Sequence, residues 1–342
     1  MIRHWSKYAI ALPLAGVLWL SLMSSIGSGA MPLSLSQSMW SLWDGLFGTD
    51  HSGLSGYEQI VVMELRLPRT LLAMMVGALL AQCGAVMQGV FRNPLADPGI
   101  IGVSSGAALG AAICIVLLPA SISAYALPIA GFGGGLLVTL MVYKLAQGPA
   151  GTSVTLLLLA GVAIAGFAGA MIGFLTFIAS EQGLRDLSLW QMGSVASASD
   201  TELGLMAAVT VILMVCFQFK ASALNALLLG ESEARHLGID VERMKRQFIL
   251  LTALGVGIAV SVSGIIGFVG LVIPHIVRTL VGPNHTRLLP ICAVLGAALM
   301  LIADSIARVA MSPSEMPVGL VTAAIGSPFF MALLYRMRRR IF

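Results

Sequence analysis

Long apolar runs separated by short polar joints set the pattern of this chain. A helix crossing a bilayer needs about 20 mainly apolar residues, and runs of that length predict spans near 8–27, 68–90, 99–118, 125–146, 154–179, 201–219, 288–309 and 317–335. One further apolar stretch, 247–282, makes about 54 Å of helix at about 1.5 Å per residue, too long for one pass and tight for two. The glycines of "SGIIGFVG", Ser263 to Gly270, offer a place for a hairpin turn. The longer hydrophilic stretches are 28–65, 181–200 and 220–246. With no evident repeat and no low-complexity linker, residues 1–342 read as a single membrane domain.

Composition agrees. Hydrophobic residues make up 58% of the 342 and charged ones 10%, and the mean hydropathy of +0.96 lies far above what a soluble core needs. The predicted fold class is all-α, a polytopic membrane protein. Charge then decides the long stretch. Read as a hairpin, it gives about ten transmembrane helices with both termini cytoplasmic, and of 19 Lys and Arg only Arg66, Arg69, Arg185 and Arg308 face outward. Read as one pass, it divides the basic residues almost evenly and exports the tail "RMRRR" against the positive-inside rule. The ten-pass reading is preferred, with a short eighth helix. Arg3, Lys7, the apolar run after them and "SIGSGA" also imitate a signal peptide, but the run has span length and no clean A-x-A site follows, so retention is expected. The +4 net charge sits mostly at cytoplasmic span ends, and no nucleic-acid partner is implied.

Candidate chemistry within the spans is sparse. Cys83, Cys114, Cys216 and Cys292 fall in apolar runs without metal-ligand spacing and read as packing residues. His275, beside Pro274, has no partner at ligand spacing, so a structural role is favoured over a metal or haem ligand, and no metal site is expected. Asp304 and Arg308, four residues apart, can pair on one helix, a reading preferred to a proton relay. Gly102, Gly106 and Gly110 lie on one helix face, and Gly169 and Gly173 repeat the spacing. Bundle packing is the first reading of both sets, and a dimer or substrate surface is the other.

The chain has no G-x-x-x-x-G-K-[ST] motif, and indeed no Gly-Lys dipeptide, so it cannot hold a nucleotide as a P-loop does. No catalytic residue is assigned. An ion-coupled carrier usually places acids or broken helices at the membrane midplane, and these spans are almost free of acids. A separate ATPase is the other energy source. The stretch "KASALNALLLGESEARHLGIDVERMKR", Lys220 to Arg246, suits it, with short helical pieces at Leu224–Leu229 and Glu231–Leu237 and breaks at Gly230 and Gly238. Such a knob could dock a partner, or be an interfacial loop without one.

The stretch "RLPRTLLAMMVGALLAQCGAVMQGVFRNPLADPGIIGVSSGAALGA" resembles the signature region of the FecCD-type permeases, the membrane subunits of ABC importers for ferric siderophores, cobalamin and haem. "LLLGESEARHLGID", "GIIGFVGLVIPHIVR" and "ADSIARVAMSPSEMPVGLVTAAIGSPFF" resemble three further blocks of that family in the same order, so the likeness covers roughly 66–335. It implies the type II ABC importer permease fold with ten helices in a bacterial inner membrane. The working unit it implies is a homodimer with two copies of an ABC ATPase, which uses ATP and Mg, and a periplasmic substrate-binding protein. No cofactor bound by this chain is expected.

The resemblance also assigns residues. In "RNPLADP", Asn93 and Leu95 match positions that narrow the inner mouth of the pathway, and Thr152 and Ser153 look like the companion constriction of this gate. Pro94 and Pro98 would keep such a turn stiff, and a stiff turn with no gating role is the alternative. ATPase coupling falls on about 221–243, with Leu224, Leu228, Gly230, Glu231, Ala234, Leu237 and Gly238. Arg66, Arg69 and Arg308 match arginines that pair with glutamates of the binding protein, with local pairing of Arg66 or Arg69 to Glu64 and of Arg308 to Asp304 or Glu315 as the alternative. Among substrates, "LGIDVERMKRQFILLTALGVGIAVSVSGIIGFVGLVIPHIVR" looks nearest to haem-import permeases, ahead of siderophore or cobalamin permeases. An ion-coupled secondary carrier is the rival of another class.

Overall fold

Apolar helices joined by capped polar turns build the fold in a computed structural model that describes residues 7–149, 151–196, 199–312 and 314–341. Numbered in chain order, they are α1 Lys7–Gly27, α2 Leu35–Phe47, α3 Gly56–Ile60, α4 Leu67–Val90, α5 Val103–Leu117, α6 Ala120–Ala146, α7 Val154–Ile178, α8 Glu181–Met192, α9 Asp200–Phe219, α10 Ala221–Leu227, α11 Glu231–His236, α12 Val241–Ser263, α13 Val269–Val281, α14 His285–Val309 and α15 Val318–Ile341. Among the described residues the architecture is all-α apart from one antiparallel hairpin, in which Gln147 pairs with Thr152 and Gly148 with Gly151.

Seven helical stretches among the described residues are long and apolar enough to cross a membrane: Gly56–Val90, Tyr125–Ala146, Val154–Ile178, Asp200–Phe219, Val241–Ser263, His285–Val309 and Val318–Tyr335. Three shorter apolar helices, Leu12–Gly27, Val103–Leu117 and Val269–Val281, fall on the remaining expected spans. The stretch 247–282 does turn back on itself: α12 stops at Ser263, Gly264 and Phe268 take positive φ of 66° and 68°, and α13 begins at Val269.

Two boundaries differ from the hydropathy reading. The second span starts near Gly56 rather than Pro68, because a capping box between Ser55 and Glu58 nucleates helix and a π-helical turn, Val61–Arg66, carries it into α4. Glu64 and Arg66 masked that continuity by lowering the local hydropathy. The hydrophilic stretches 28–65 and 181–200 also hold helices, α2 and α8. A capping box between Ser34 and Gln37 starts α2, and the Ser180 side chain caps α8.

The core gathers around α4, where 83% of the most apolar window is buried, against 17% for α7. Glycine lets backbones touch there: a Cβ on Gly77 would collide with the Gly296 carbonyl of α14, and one on Gly84 with Gly270 of α13. The expected Gly102, Gly106 and Gly110 face packs on α6, against Val138, Gly134 and Ala130 respectively. At Gly169 and Gly173 of α7, by contrast, a Cβ would meet nothing within 4 Å among the described residues. Cys83, Cys114 and Cys292 are buried free thiols and Cys216 is half-buried, in keeping with packing roles.

Candidate functional site

Helix α4 ends at Val90, and the turn that follows is held by its own backbone. Arg92 takes a left-handed φ of 49°, the Asn93 N–H donates to the Gln88 carbonyl at 3.2 Å, and Asn93 Oδ1 accepts from the Leu95 N–H at 2.9 Å. Asp97 closes the turn by accepting from the Gly99 N–H at 2.7 Å, capping a 3₁₀ turn over Pro98–Ile101. Burial pushes the Asp97 carboxyl above the usual carboxylate range, and the Gly99 donor opposes this only in part. Asn93 is exposed and Leu95 half-buried, so both can meet something passing the turn.

The hairpin before α7 lies at the same end of the bundle. Ser153 caps α7, accepting from the Leu156 N–H at 3.3 Å. Thr152 is buried, and two side chains in the first turns of α12 grip its backbone. Glu242 Oε2 accepts from the Thr152 N–H at 2.7 Å, and Lys245 Nζ donates to the Thr152 carbonyl at 3.3 Å. Lys245 also meets Glu242 Oε1 at 3.4 Å and Glu231 Oε1 at 2.7 Å.

Between the two turns stands the segment expected to dock a partner. It breaks at glycines with φ of 117° (Gly230) and 82° (Gly238), where only glycine is at ease. Its proposed contact residues divide by exposure. Leu224 and Ala234 are fully buried and support the knob from within, whereas Leu228 and Leu237 face outward, as does Leu229, which is not among the expected contacts. The split follows from amphipathic α10, whose inner face rests on α4 and α14: Leu224 fills the space beside Gly89, and Asn225 Oδ1 accepts from the His285 N–H at 2.7 Å. His275 lies edge-on to Phe329, with ring centroids 6.3 Å apart. Among the described residues, no group of three or more His, Cys, Asp or Glu is arranged to hold a metal.

At the opposite end, three of the four arginines expected to face outward, Arg66, Arg69 and Arg308, converge on a cleft of about 550 Å³ that Tyr57, Leu65 and Glu315 also line. Asp304, fully buried, sits between two of them: Arg69 reaches its Oδ1 at 2.9 Å through both Nε and Nη2, and Arg308 Nη2 reaches its Oδ2 at 2.9 Å. Arg69 also meets Glu315 at 2.6 Å, and Arg308 donates to Ser25 Oγ and the Ser28 carbonyl. Arg66 pairs with no carboxylate among the described residues: it donates to the carbonyls of Ile26, Gly27 and Met31, and the alternative of pairing with Glu64 is not realised. The expected local pairing is thus present for Arg308 with Asp304, whereas Arg69 pairs with Asp304 and Glu315 rather than with Glu64.

Sequence reasoning missed the grip of Lys245 and Glu242 on Thr152. Charged residues inside the first turns of an otherwise apolar span were the available signal.

Residues 17–336 match the FecCD transport family, nearly the whole chain. The chain belongs to the FecCD transport family. This FecCD protein is 42% identical over 331 residues to the hemin transport system permease protein HmuU of Yersinia pestis, covering 93% of this chain and 92% of that one. It is 39% identical over 325 residues to the vitamin B12 import system permease protein BtuC of Citrobacter koseri, covering 94% and 95%. A solved structure described as an inward-facing conformation of a metal-chelate type ABC transporter superposes with a TM-score of 0.81 at 33% identity, over 96% of this chain and 100% of that one. The FecCD chain is therefore a membrane-embedded permease subunit of an ABC importer and not an enzyme: a separate ATPase hydrolyses ATP, and a binding protein delivers substrate.

Proposed function

We propose that this permease carries haem across the bacterial inner membrane. The observation that carries the reading is the 42% identity to a hemin permease along 93% of the chain. A second reading, cobalamin, draws support from the 39% identity to a vitamin B12 permease over a similar span. Reconstituted with its ATPase and binding protein in liposomes offered haem, cobalamin and a ferric siderophore, the permease is expected to accumulate haem first. Preferential uptake of either rival overturns the assignment.

In this reading two copies of the chain form the pathway, and each receives one ATPase on 221–243. Exposed Leu228, Leu229 and Leu237 give that segment an apolar contact face. Both termini are cytoplasmic, as the bias of basic residues favours. Asn93, Leu95, Thr152 and Ser153 form the inner gate, supported by the stiffness of the first turn and the anchoring of the second. The binding protein docks over the cleft lined by Arg66, Arg69 and Arg308, where clustered guanidinium groups suit acidic side chains on its lobes. ATP and Mg belong to the partner ATPase, and this chain holds no cofactor of its own.

A further inference from the structure

We propose that Lys245 is the link through which the docking segment moves the gate hairpin. The inference rests on the reading of 221–243 as the ATPase seat and of Thr152 and Ser153 as part of the gate.

A lysine whose side chain is only 3% exposed is costly unless its charge is matched. Its ammonium is matched by three pieces of chain: it donates to Glu242 at 3.4 Å on α12 and to the Thr152 carbonyl at 3.3 Å on the hairpin, and it forms an ion pair with Glu231 at 2.7 Å on α11. Glu242 holds the N–H of the same Thr152 at 2.7 Å. One residue of the hairpin is thus clasped on both its donor and its acceptor by neighbouring turns of one helix. The clasp needs glycine beside it, for Gly151 sits at φ 105° and Glu242 Oε1 lies 2.6 Å from where a Cβ would be.

Glu231 is the first residue of α11, directly after the break at Gly230, so a tilt of α11 acts on Lys245 before anything else. The residue after Thr152 is the Ser153 cap of α7, so a pull on the hairpin acts on the start of that helix. Buried ionic contacts add little net stability compared with apolar packing, but they fix one geometry and lose it when a partner moves away. That property suits a link between moving parts.

The test uses the permease with its ATPase and binding protein in proteoliposomes, offered haem, cobalamin and a ferric siderophore. A fluorophore on Gln147→Cys, at an exposed hairpin position, reports gate motion. In Lys245→Met the ATPase is expected to bind and hydrolyse ATP as in wild type, while transport per ATP falls about tenfold and the ATP-dependent fluorescence change disappears. Glu242→Ala removes the hold on the Thr152 N–H and leaves Lys245 on Glu231 and the Thr152 carbonyl, and a loss of transport per ATP in the same direction is expected. It decides the matter should Lys245→Met fail to fold. Normal transport per ATP in either folded variant overturns the link, as does a loss in Lys245→Met that merely follows weaker ATPase binding. If the wild-type hairpin itself gives no ATP-dependent signal, the reading of 152–153 as a gate fails instead.

Discussion

Asp304→Asn tests the buried cluster where the start of α4 meets the end of α14. The substitution keeps the size of the side chain but removes the only carboxylate that Arg69 and Arg308 share, and those two side chains are 9% and 3% exposed. Arg69 keeps Glu315, and Arg308 keeps Ser25 and Ser28, so neither is wholly abandoned. Removing one member of a buried ion pair costs about 3–5 kcal/mol, because the remaining charge stays out of water. At roughly 2.1 cal/mol/K per residue, a chain of 342 residues has an unfolding entropy near ~0.7 kcal/mol/K, so the apparent melting midpoint should fall by about 4–7 °C. Glu315→Gln is the control. Its side chain is 45% exposed, and such a pair contributes at most about 1 kcal/mol, or about 1 °C. Both variants are measured in the same detergent by scanning fluorimetry at one scan rate, since the midpoint of an irreversible transition depends on that rate. A midpoint unchanged in Asp304→Asn, or lowered more by Glu315→Gln, would refute the view that this cluster holds the two helices together.

Two further outcomes are expected. Glu315→Ala leaves one Arg69 nitrogen without its partner at the cleft, so the binding protein should associate about two- to threefold faster at low salt, with the gain vanishing at high salt; surface plasmon resonance at two ionic strengths reads this, and unchanged rates would detach the arginines from docking. Burial alone would raise the Asp44 carboxyl, but the N–H groups of His51 and Ser52 and the Thr49 hydroxyl outweigh it and hold the group well below the usual range. With a folded value depressed in this way, its stabilising effect is present above the unfolded value near about 3.9 and is lost as pH falls through the folded value. Asp44→Asn should therefore lower the melting midpoint at about pH 7, and the gap from wild type should close as the medium is acidified below about pH 4.

The sequence revealed what is local. The positions of the apolar runs, the reversal inside 263–270 and the breaks at Gly230 and Gly238 could all be read, because each is set by neighbours within a turn or two. The Asp304–Arg308 pair was legible at i,i+4 spacing, but Arg69 joins it from 235 residues away, and no pattern along the chain announces that meeting. The grip on Thr152 was hidden for the same reason, with partners 90 and 93 residues distant. Helices α2 and α8 were missed in another way. Their capping serines were visible, but hydropathy, the signal used to find spans, is silent on short amphipathic helices.

The glycine contacts of α4 carry a mechanical consequence. Where Gly77 meets Gly296 and Gly84 meets Gly270, main chain lies against main chain with no compliant side chain between, and such a seam can neither slide nor be squeezed. Helices α4, α13 and α14 are in effect welded into a stator. Helix α7 is pinned in the same way at one level only, where Gly161 lies against the Ile100 carbonyl, while around its glycines at 166, 169 and 173 a Cβ would meet nothing among the described residues.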